Sequence, residues 1–478
     1  MNDYQKNTVR NPLIVAKAGM WYTVCIFCFK AMAFLTTPFF SRCMTKAELG
    51  SFSNFVSIAS LFIVLTSFDL SQSIIRFKAE NEMDIDCYIW SILSMSTLWT
   101  LIIYVAFLAF PTFFAEILKM KQQYIHILFW YLFAAPPYIM LVTKQRVFYQ
   151  YKKFVLFTGI IAISGTLMAF LLVLLMQDKL TGRIIGFYTP QILMGAVIFG
   201  YLAKRGKKAK ISYWKYATEL CLPMVPHDLS LHILGVSAFI IITRFCGPEY
   251  TAFYSIAYGA YHIATILFDT MNKAWSPWLI ESLHNKNYEQ IKKASRIYIF
   301  VFALIITGVL LIVPEIILVL GGSKYAQSVY CLPALLTSCS FLFVFTMYVN
   351  IEFYEKKTMG ISIATMIGMV VNLTLNVLLI PLNPEKSYII ASYTTLAGYI
   401  ILFIIHVFIV KKMKMDHVYD IKFIIMILAI IMIFAGGMNI LYSYTLVRWS
   451  VILLYGSIVL YLIFRFKEQI RSVFLQRD

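Results

Sequence analysis

Charge is scarce in this sequence: only 13% of its 478 residues are Asp, Glu, Lys or Arg. Acids are scarcer than bases, 23 against 41. A soluble domain carries about a quarter of its residues as charges. With 60% hydrophobic residues and a mean hydropathy of +0.77, this chain is not one. No phosphate-cradling GxxxxGK[ST] loop occurs, which argues against direct drive by a nucleoside triphosphate. No polar stretch is long enough for an extramembrane catalytic module. The eight cysteines are scattered. Cys25-x-x-Cys28 has a metal-like spacing, but no second Cys or His pair accompanies it, so ordinary small membrane residues are the better reading. Residues 1–12 are polar, the first apolar run is too long for a leader, and no small-residue cleavage site follows it. The first helix is therefore expected to be an uncleaved anchor.

What the sequence does have is apolar runs. Fourteen recur, at approximately 13–40, 52–70, 88–111, 124–143, 154–176, 184–203, 217–242, 251–273, 296–320, 328–350, 358–381, 387–410, 421–440 and 446–464. Each is near the ~20 residues a helix needs to cross ~30 Å of hydrocarbon. Inside lipid every backbone N–H and C=O must be paired within the segment, so the runs are helices. The expected fold is an all-α integral membrane protein of about fourteen transmembrane helices.

The placement of the bases explains the net charge of +18. Counted from an inside N-terminus, the inside connections carry 29 Lys and Arg and the outside ones 10, with Lys30 and Lys273 within spans. This bias puts both termini in the cytoplasm. The densest run, Lys204 to Lys210, then lies between helices 6 and 7 against anionic headgroups. No exposed folded surface is left for nucleic acid. The longest outside connection, 111–124, keeps Phe113, Phe114, Ile117 and Leu118 and reads as an interfacial piece.

A weak internal repeat is present. Arg42, Glu48, Phe52 and Ser53 after helix 1 recur in order as Arg244, Glu249, Phe253 and Ser255 after helix 7. Six helices separate the copies, so both have the same orientation, and two lobes related by an axis along the membrane normal are expected. Residues 1–203 (helices 1–6) would form the N-terminal lobe and 217–410 (helices 7–12) the C-terminal lobe. Residues 204–216 would be a basic linker, and 411–478 would add helices 13–14 and a cytoplasmic tail. Such lobes bind substrate between them and alternate access by rocking.

Several segments carry a resemblance. Lys17-Ala-Gly-Met-Trp-Tyr through Lys30, Leu35-Thr-Thr-Pro38-Phe-Phe-Ser-Arg42 and Glu48-Leu-Gly50 resemble the opening of polysaccharide-lipid flippases. Phe245-Cys-Gly-Pro-Glu-Tyr-Thr-Ala-Phe-Tyr254-Ser-Ile-Ala-Tyr258 with Trp275-Ser-Pro-Trp278 resembles their middle. Leu180-Thr-Gly-Arg183-Ile-Ile-Gly186, Tyr354-Glu-Lys-Lys357-Thr, Asn372-Leu-Thr-Leu-Asn376-Val-Leu-Leu-Ile-Pro381 and Ala391-Ser-Tyr-Thr-Thr395 are similar to further family segments. The chain thus resembles the O-antigen and capsular repeat-unit flippases of the multidrug/oligosaccharidyl-lipid/polysaccharide exporter superfamily. The resemblance implies transfer of undecaprenyl-pyrophosphate-linked oligosaccharide between leaflets of a bacterial inner membrane, without a cofactor. The polysaccharide polymerase machinery would be a further partner. Many relatives carry an Asp-Arg pair late in helix 7, where this chain has Ala238-Phe239; a mechanism resting on that pair does not transfer.

An ionisable residue inside a membrane helix marks a functional site unless a partner neutralises it. Lys30, mid-helix 1 with Thr23, Phe27, Phe34 and Thr37 on its general face, is either a cavity cation for the carrier's diphosphate or a partner for Asp69 or Asp228. His262, Asp269 and Lys273 share a stripe of helix 8. Asp269 and Lys273 are an i,i+4 pair that either neutralises itself or works with His262 as an acid–base element. Helix 7 puts Glu219, Pro223 and His227 on one stripe and Asp228 and His232 on the next. Pro223 and Pro226 each remove a backbone hydrogen bond, so a kink or unwinding is expected there, as a hinge rather than a ligand site. Among the helix-end arginines 42, 76, 146, 183 and 244, Arg42 and Arg244 stand out as the repeat pair suited to phosphate. Glu352 is a candidate gate acid. Substrate contact is thus assigned to Lys30, Arg42, Arg244 and Lys273, and coupling or gating to Asp69, His227, Asp228, His262, Asp269 and Glu352.

Three other functions compete. A multidrug exporter of the same fold would need an acidic, aromatic cavity for organic cations, whereas Lys30 and the arginines suit anions. Flipping of a lipid-linked peptidoglycan precursor is poorly separated by sequence. A membrane polysaccharide polymerase or ligase generally has a sizeable outside loop, absent here.

Overall fold

The long elements of the fold follow from the apolar runs. The computed structural model describes residues 12–80 and 84–465, and among these the regular structure is helical, with no strand. The N-terminal eleven residues and the tail from 466 lie outside the described residues. In chain order the helices are α1 (Pro12–Cys43), α2 (Lys46–Ser67), α3 (Ser73–Glu80), α4 (Ile85–Ala109), α5 (Pro111–Leu118) and α6 (Gln122–Val147). Next come α7 (Tyr151–Leu175), α8 (Lys179–Gly206), α9 (Ile211–Cys221), α10 (Val225–Phe245), α11 (Pro248–His284) and α12 (Tyr288–Leu311). The last are α13 (Val313–Gly321), α14 (Leu332–Tyr354), α15 (Thr358–Leu379), α16 (Ser387–Lys412), α17 (Ile421–Leu441) and α18 (Thr445–Arg465).

Fourteen of these have 21 residues or more, one for each expected run. Among the described residues, twelve candidate spans are long and apolar enough to cross a bilayer. The other two long helices are α1 and α11. Along α11, polar and amphipathic residues such as Tyr258, Tyr261, His262 and Asp269 dilute the apolar run. The interfacial piece expected at 111–124 is α5, which starts at Pro111, where a missing N–H costs nothing.

Two departures have local causes. The run at 217–242 is not one helix: α9 ends at Cys221, Leu222–Met224 form a turn, and α10 begins with Pro226 in its first turn. The expected unwinding thus becomes a full break. Conversely, α11 runs through Pro277 to His284, eleven residues past the expected end. Trp275, Leu279 and Leu283 are buried at successive turns, so the apolar stripe continues beyond the hydrophobic run.

The chain divides into two compact units, residues 1–259 with 358–394, and residues 260–357 with 395–478. In the first unit α8 packs on α6 and α7, and α10 lies between α2 and α15. The α7–α8 approach is very close: a Cβ on Gly186 would lie 2.4 Å from Ala169 Cα, and one on Gly182 would lie 2.8 Å from Leu172 O. Gly182 and Gly186 are spaced i,i+4, as small-residue helix contacts in membranes require. In the second unit α14 is nearly all core, with α12 and α17 against it.

Candidate functional site

The first unit gathers acids and imidazoles around the break between α9 and α10. Asp69 follows the end of α2. It and Phe68 both have φ near +47°, a left-handed turn that Asp tolerates better than Phe. This turn brings the Asp69 carboxyl into the field of Asp228 and His232 on α10. Burial pushes the Asp69 carboxyl above its usual range, the Asp228 charge pushes it further, and His232 opposes them. His227, one residue before Asp228, bonds through Nδ1 to Thr365 Oγ1 on α15 at 2.7 Å. Glu219, on the far side of the break, is exposed and pairs with Lys215 at 3.9 Å. The stripe expected to join Glu219 to His227 is therefore interrupted. Asp69 and Asp228 are neighbours of each other, and the side chain of Lys30 on α1 lies outside the described residues.

Higher on α10, Ala238 and Phe239 are buried, and Phe239 packs edge-on to Tyr254 and Tyr258. Beside them is a polar knot. Ser237 donates to Asn372 Oδ1 at 3.2 Å, Asn376 Nδ2 donates to both Ser237 and Asn372, and Thr394 donates to Asn376 Oδ1. All four residues are buried, and the knot carries no formal charge. Asn372 and Asn376 at i,i+4 in an apolar run were its visible signal in the sequence.

The repeat segments meet at the start of α2 and α11. Thr45 caps α2 by accepting from Glu48 N–H, and the Glu48 carboxylate accepts from Thr45 N–H at 2.7 Å, a capping box. Glu249 takes the matching first-turn place in α11. Ser53 Oγ and Ser255 Oγ are 2.7 Å apart, and Lys46 Nζ lies 4.6 Å from the Phe253 ring centre. A Cβ on Gly50 would lie 1.7 Å from Pro248 O. Arg42 and Arg244 are exposed and bond carbonyls at helix ends, Pro38 O and Ile117 O respectively, both at 2.9 Å. Each sits where a cation offsets the negative end of its helix.

The second unit holds a fully buried acid–imidazole pair. Glu352 on α14 and His406 on α16 have no exposed side-chain surface, and Nδ1 lies 2.6 Å from Oε1. Sequence reasoning found Glu352 and missed His406, whose signal was a lone His within the apolar run 387–410. On α11, Asp269 is half-buried, while His262 and Lys273 are exposed; His262 Nδ1 lies 3.3 Å from Thr265 Oγ1. The structure thus brings Asp69 to Asp228 and Glu352 to His406.

Fourteen long helices among the described residues, with a break just before α10 beside a cluster of acids and imidazoles and with polar knots buried within lipid-length elements, define a multi-span membrane protein. The solved structures with this fold include the lipid II flippase MurJ in an inward closed conformation, with TM-score 0.70 and 15% identity, covering 94% of this chain and 100% of that one. A multidrug resistance MATE family transporter of the MOP superfamily, inward-facing, matches with TM-score 0.57 and 13% identity over 79% of this chain and 95% of its own. A variant of the Vibrio cholerae MATE transporter VcmN matches with TM-score 0.52 and 12% identity, over 84% and 98%. No protein of curated function matches the chain by sequence. Residues 15–283 match the polysaccharide biosynthesis protein family. The chain belongs to that family.

Proposed function

We propose that this protein flips polyprenyl-pyrophosphate-linked oligosaccharide, an O-antigen or capsule repeat unit, between leaflets of a bacterial plasma membrane by alternating access. The observation that carries the reading is the family match over residues 15–283, which joins the chain to polysaccharide biosynthesis. A fold in common with the lipid II flippase supports it from a second side, since that protein is named as a flippase of a lipid. The two lobes would be 1–203 and 217–410, with both termini cytoplasmic on the strength of the basic loops.

Lys30, Arg42, Arg244 and Lys273 are the proposed contacts for the diphosphate, because a cation in a water-poor cavity attracts an anion strongly. Asp69, His227, Asp228, His262, Asp269 and Glu352 are the proposed coupling and gating groups. The test reconstitutes purified protein in liposomes and follows a polyprenyl-pyrophosphate glycan from one leaflet to the other. Export of ethidium without glycan-lipid movement would move the protein to the drug-exporter branch.

A further inference from the structure

The Glu352–His406 pair is an expensive way to hold two helices together. An ionised carboxylate or imidazolium taken out of water costs several kcal/mol, and a good partner returns only part of it. A hydroxyl–amide pair of the kind that joins Thr394 to Asn376 would tie α14 to α16 without that cost. The helix that carries Glu352 is also among the driest described: 19 of its 23 residues are buried. The Phe345 ring lies parallel to the imidazole at 5.4 Å, and Leu402, Phe403 and Val410 are buried along the His406 helix.

The number of protons the pair can hold follows from these surroundings. With one proton the pair is neutral overall, whether the proton sits on the carboxyl or makes an imidazolium beside a carboxylate. With none it carries one negative charge, and with two it carries one positive charge. Either charged state is uncompensated in an apolar shell. The ionisable groups on the helices around α14 do not change this. On α14 itself there are Tyr348 and Tyr354, with Glu355, Lys356 and Lys357 exposed just past its end, and on α16 there are Tyr399 and the exposed Lys411 and Lys412 of its last turn. From α12 come Arg296 and Tyr298, from the start of α17 Tyr419 and Asp420, and from α11 Asp269 and Lys273. Arg296 is bonded to Asp420, and the Tyr419 hydroxyl donates to Met347 O at 3.3 Å. Asn272, beside Lys273, accepts from Asn350 at 3.0 Å, which places α11 along the same stretch of α14. Within this conformation the pair therefore keeps one proton. Gaining or losing one requires the helices to rearrange.

The outer atoms point the same way. Glu352 Oε2 and His406 Nε2 are buried and have no protein hydrogen-bond partner, although the great majority of buried polar atoms have one. A purely structural pair would gain by satisfying them.

We propose that Glu352 and His406 form a proton-binding site whose occupancy is locked in the closed surroundings seen here and exchanged when α14 and α16 part during transport. The ligand is a proton, and the site is the coupling element of the cycle. Glu352 presents the carboxyl, and His406 sets its orientation and shares the proton through Nδ1. Relative to the two residues so bonded, no other group needs to change charge. This rests on the reading of the chain as a transporter, and the test separates the two.

The first measurement follows the reconstituted wild-type protein by infrared spectroscopy as pH is stepped, under conditions in which α14 and α16 are free to part and exchange the proton. A pH-dependent change in a carboxyl or carboxylate band that shifts with 13C-glutamate labelling and is missing from Glu352→Gln is the expected result. Its absence from the wild type, or its survival in the variant, overturns the proposal. The second applies a pH gradient across liposomes and follows a polyprenyl-pyrophosphate glycan. Wild-type rates should respond to the gradient. Glu352→Gln and His406→Gln, which keep size and a hydrogen bond, should lose about tenfold or more of that response, the scale of a typical coupling between sites. A Glu352→Gln protein that responds like the wild type would leave only a helix staple and overturn the proposal. Failure of the wild type to move the glycan lipid would sink the substrate reading, while the infrared result still decides the proton site.

Discussion

Gly50 is the sharpest place to perturb the contact between α2 and the α10–α11 corner. A Cβ there would fall 1.7 Å from Pro248 O, 2.6 Å from Pro248 C and 3.0 Å from Ala252 N. All three are backbone atoms, so no side chain can swing away. Ordinary contact lies at about 3.5 Å, so Gly50→Ala must push α2 back by roughly 2 Å. A gap half that size already forfeits up to about half of the dispersion energy at the contact. Overpacking of this kind costs about 1–3 kcal/mol, occasionally more. Helix propensity works the other way, since Ala is favoured over Gly by about 1 kcal/mol inside a helix. Because α2 stays helical whether or not the contact is closed, that gain does not offset the clash, and the cost to the closed contact should be about 2 kcal/mol, or roughly 30-fold in its population. The readout is a disulfide between Ser53→Cys and Ser255→Cys in a cysteine-free background, since those hydroxyls lie 2.7 Å apart. Cross-linking should be efficient with Gly50 and much slower with Gly50→Ala. Gly200 on α8, with nothing within 4 Å of its would-be Cβ, is the control, and Gly200→Ala should leave the cross-link unchanged. Equal cross-linking and thermal stability in Gly50→Ala would refute the close-approach argument.

Three further outcomes are expected. Lys30→Arg should keep more flippase activity than Lys30→Ala, and a fully active alanine variant in surface-polysaccharide complementation would remove Lys30 from substrate attraction. Arg448, almost fully buried, grips Glu315 in a two-bond fork at 2.6 and 2.7 Å, and these bonds hold the Glu315 carboxyl below its usual range. A depressed carboxyl stabilises the fold above the unfolded value and loses that contribution as pH falls through the folded one. Glu315→Gln should therefore cost about 1–2 kcal/mol at neutral pH, less than a fully buried pair because Glu315 is partly exposed, and its penalty should shrink below about pH 4; a pH-independent difference in unfolding would count against the fork. Finally, with both termini inside, a cysteine at 180 should be labelled from outside intact cells and one at 207 should not, and labelling at 207 would reverse the topology.

The spans were legible in the sequence because a membrane helix satisfies its own backbone. Run length and hydropathy are local quantities, and they located fourteen long helices, the interfacial α5 and the weakness at Pro223 and Pro226. The repeated Arg and Glu were legible too, and the structure gives Glu48 a capping role and Arg42 and Arg244 helix-end carbonyls to bind. Tertiary structure alone decided what meets what. Glu352 and His406 are 54 residues apart, and nothing local to either run says that their faces will touch. Asp69 reaches Asp228 because Phe68 and Asp69 turn left-handed after α2, a conformation that no apolar pattern announces. The extension of α11 to His284 goes with the burial of Trp275, Leu279 and Leu283, the first of which reaches Tyr419, distant in sequence. Hydropathy sets which segments enter the bilayer, but in a bundle whose helices are apolar on nearly every face, close packing and the few polar atoms choose the partners.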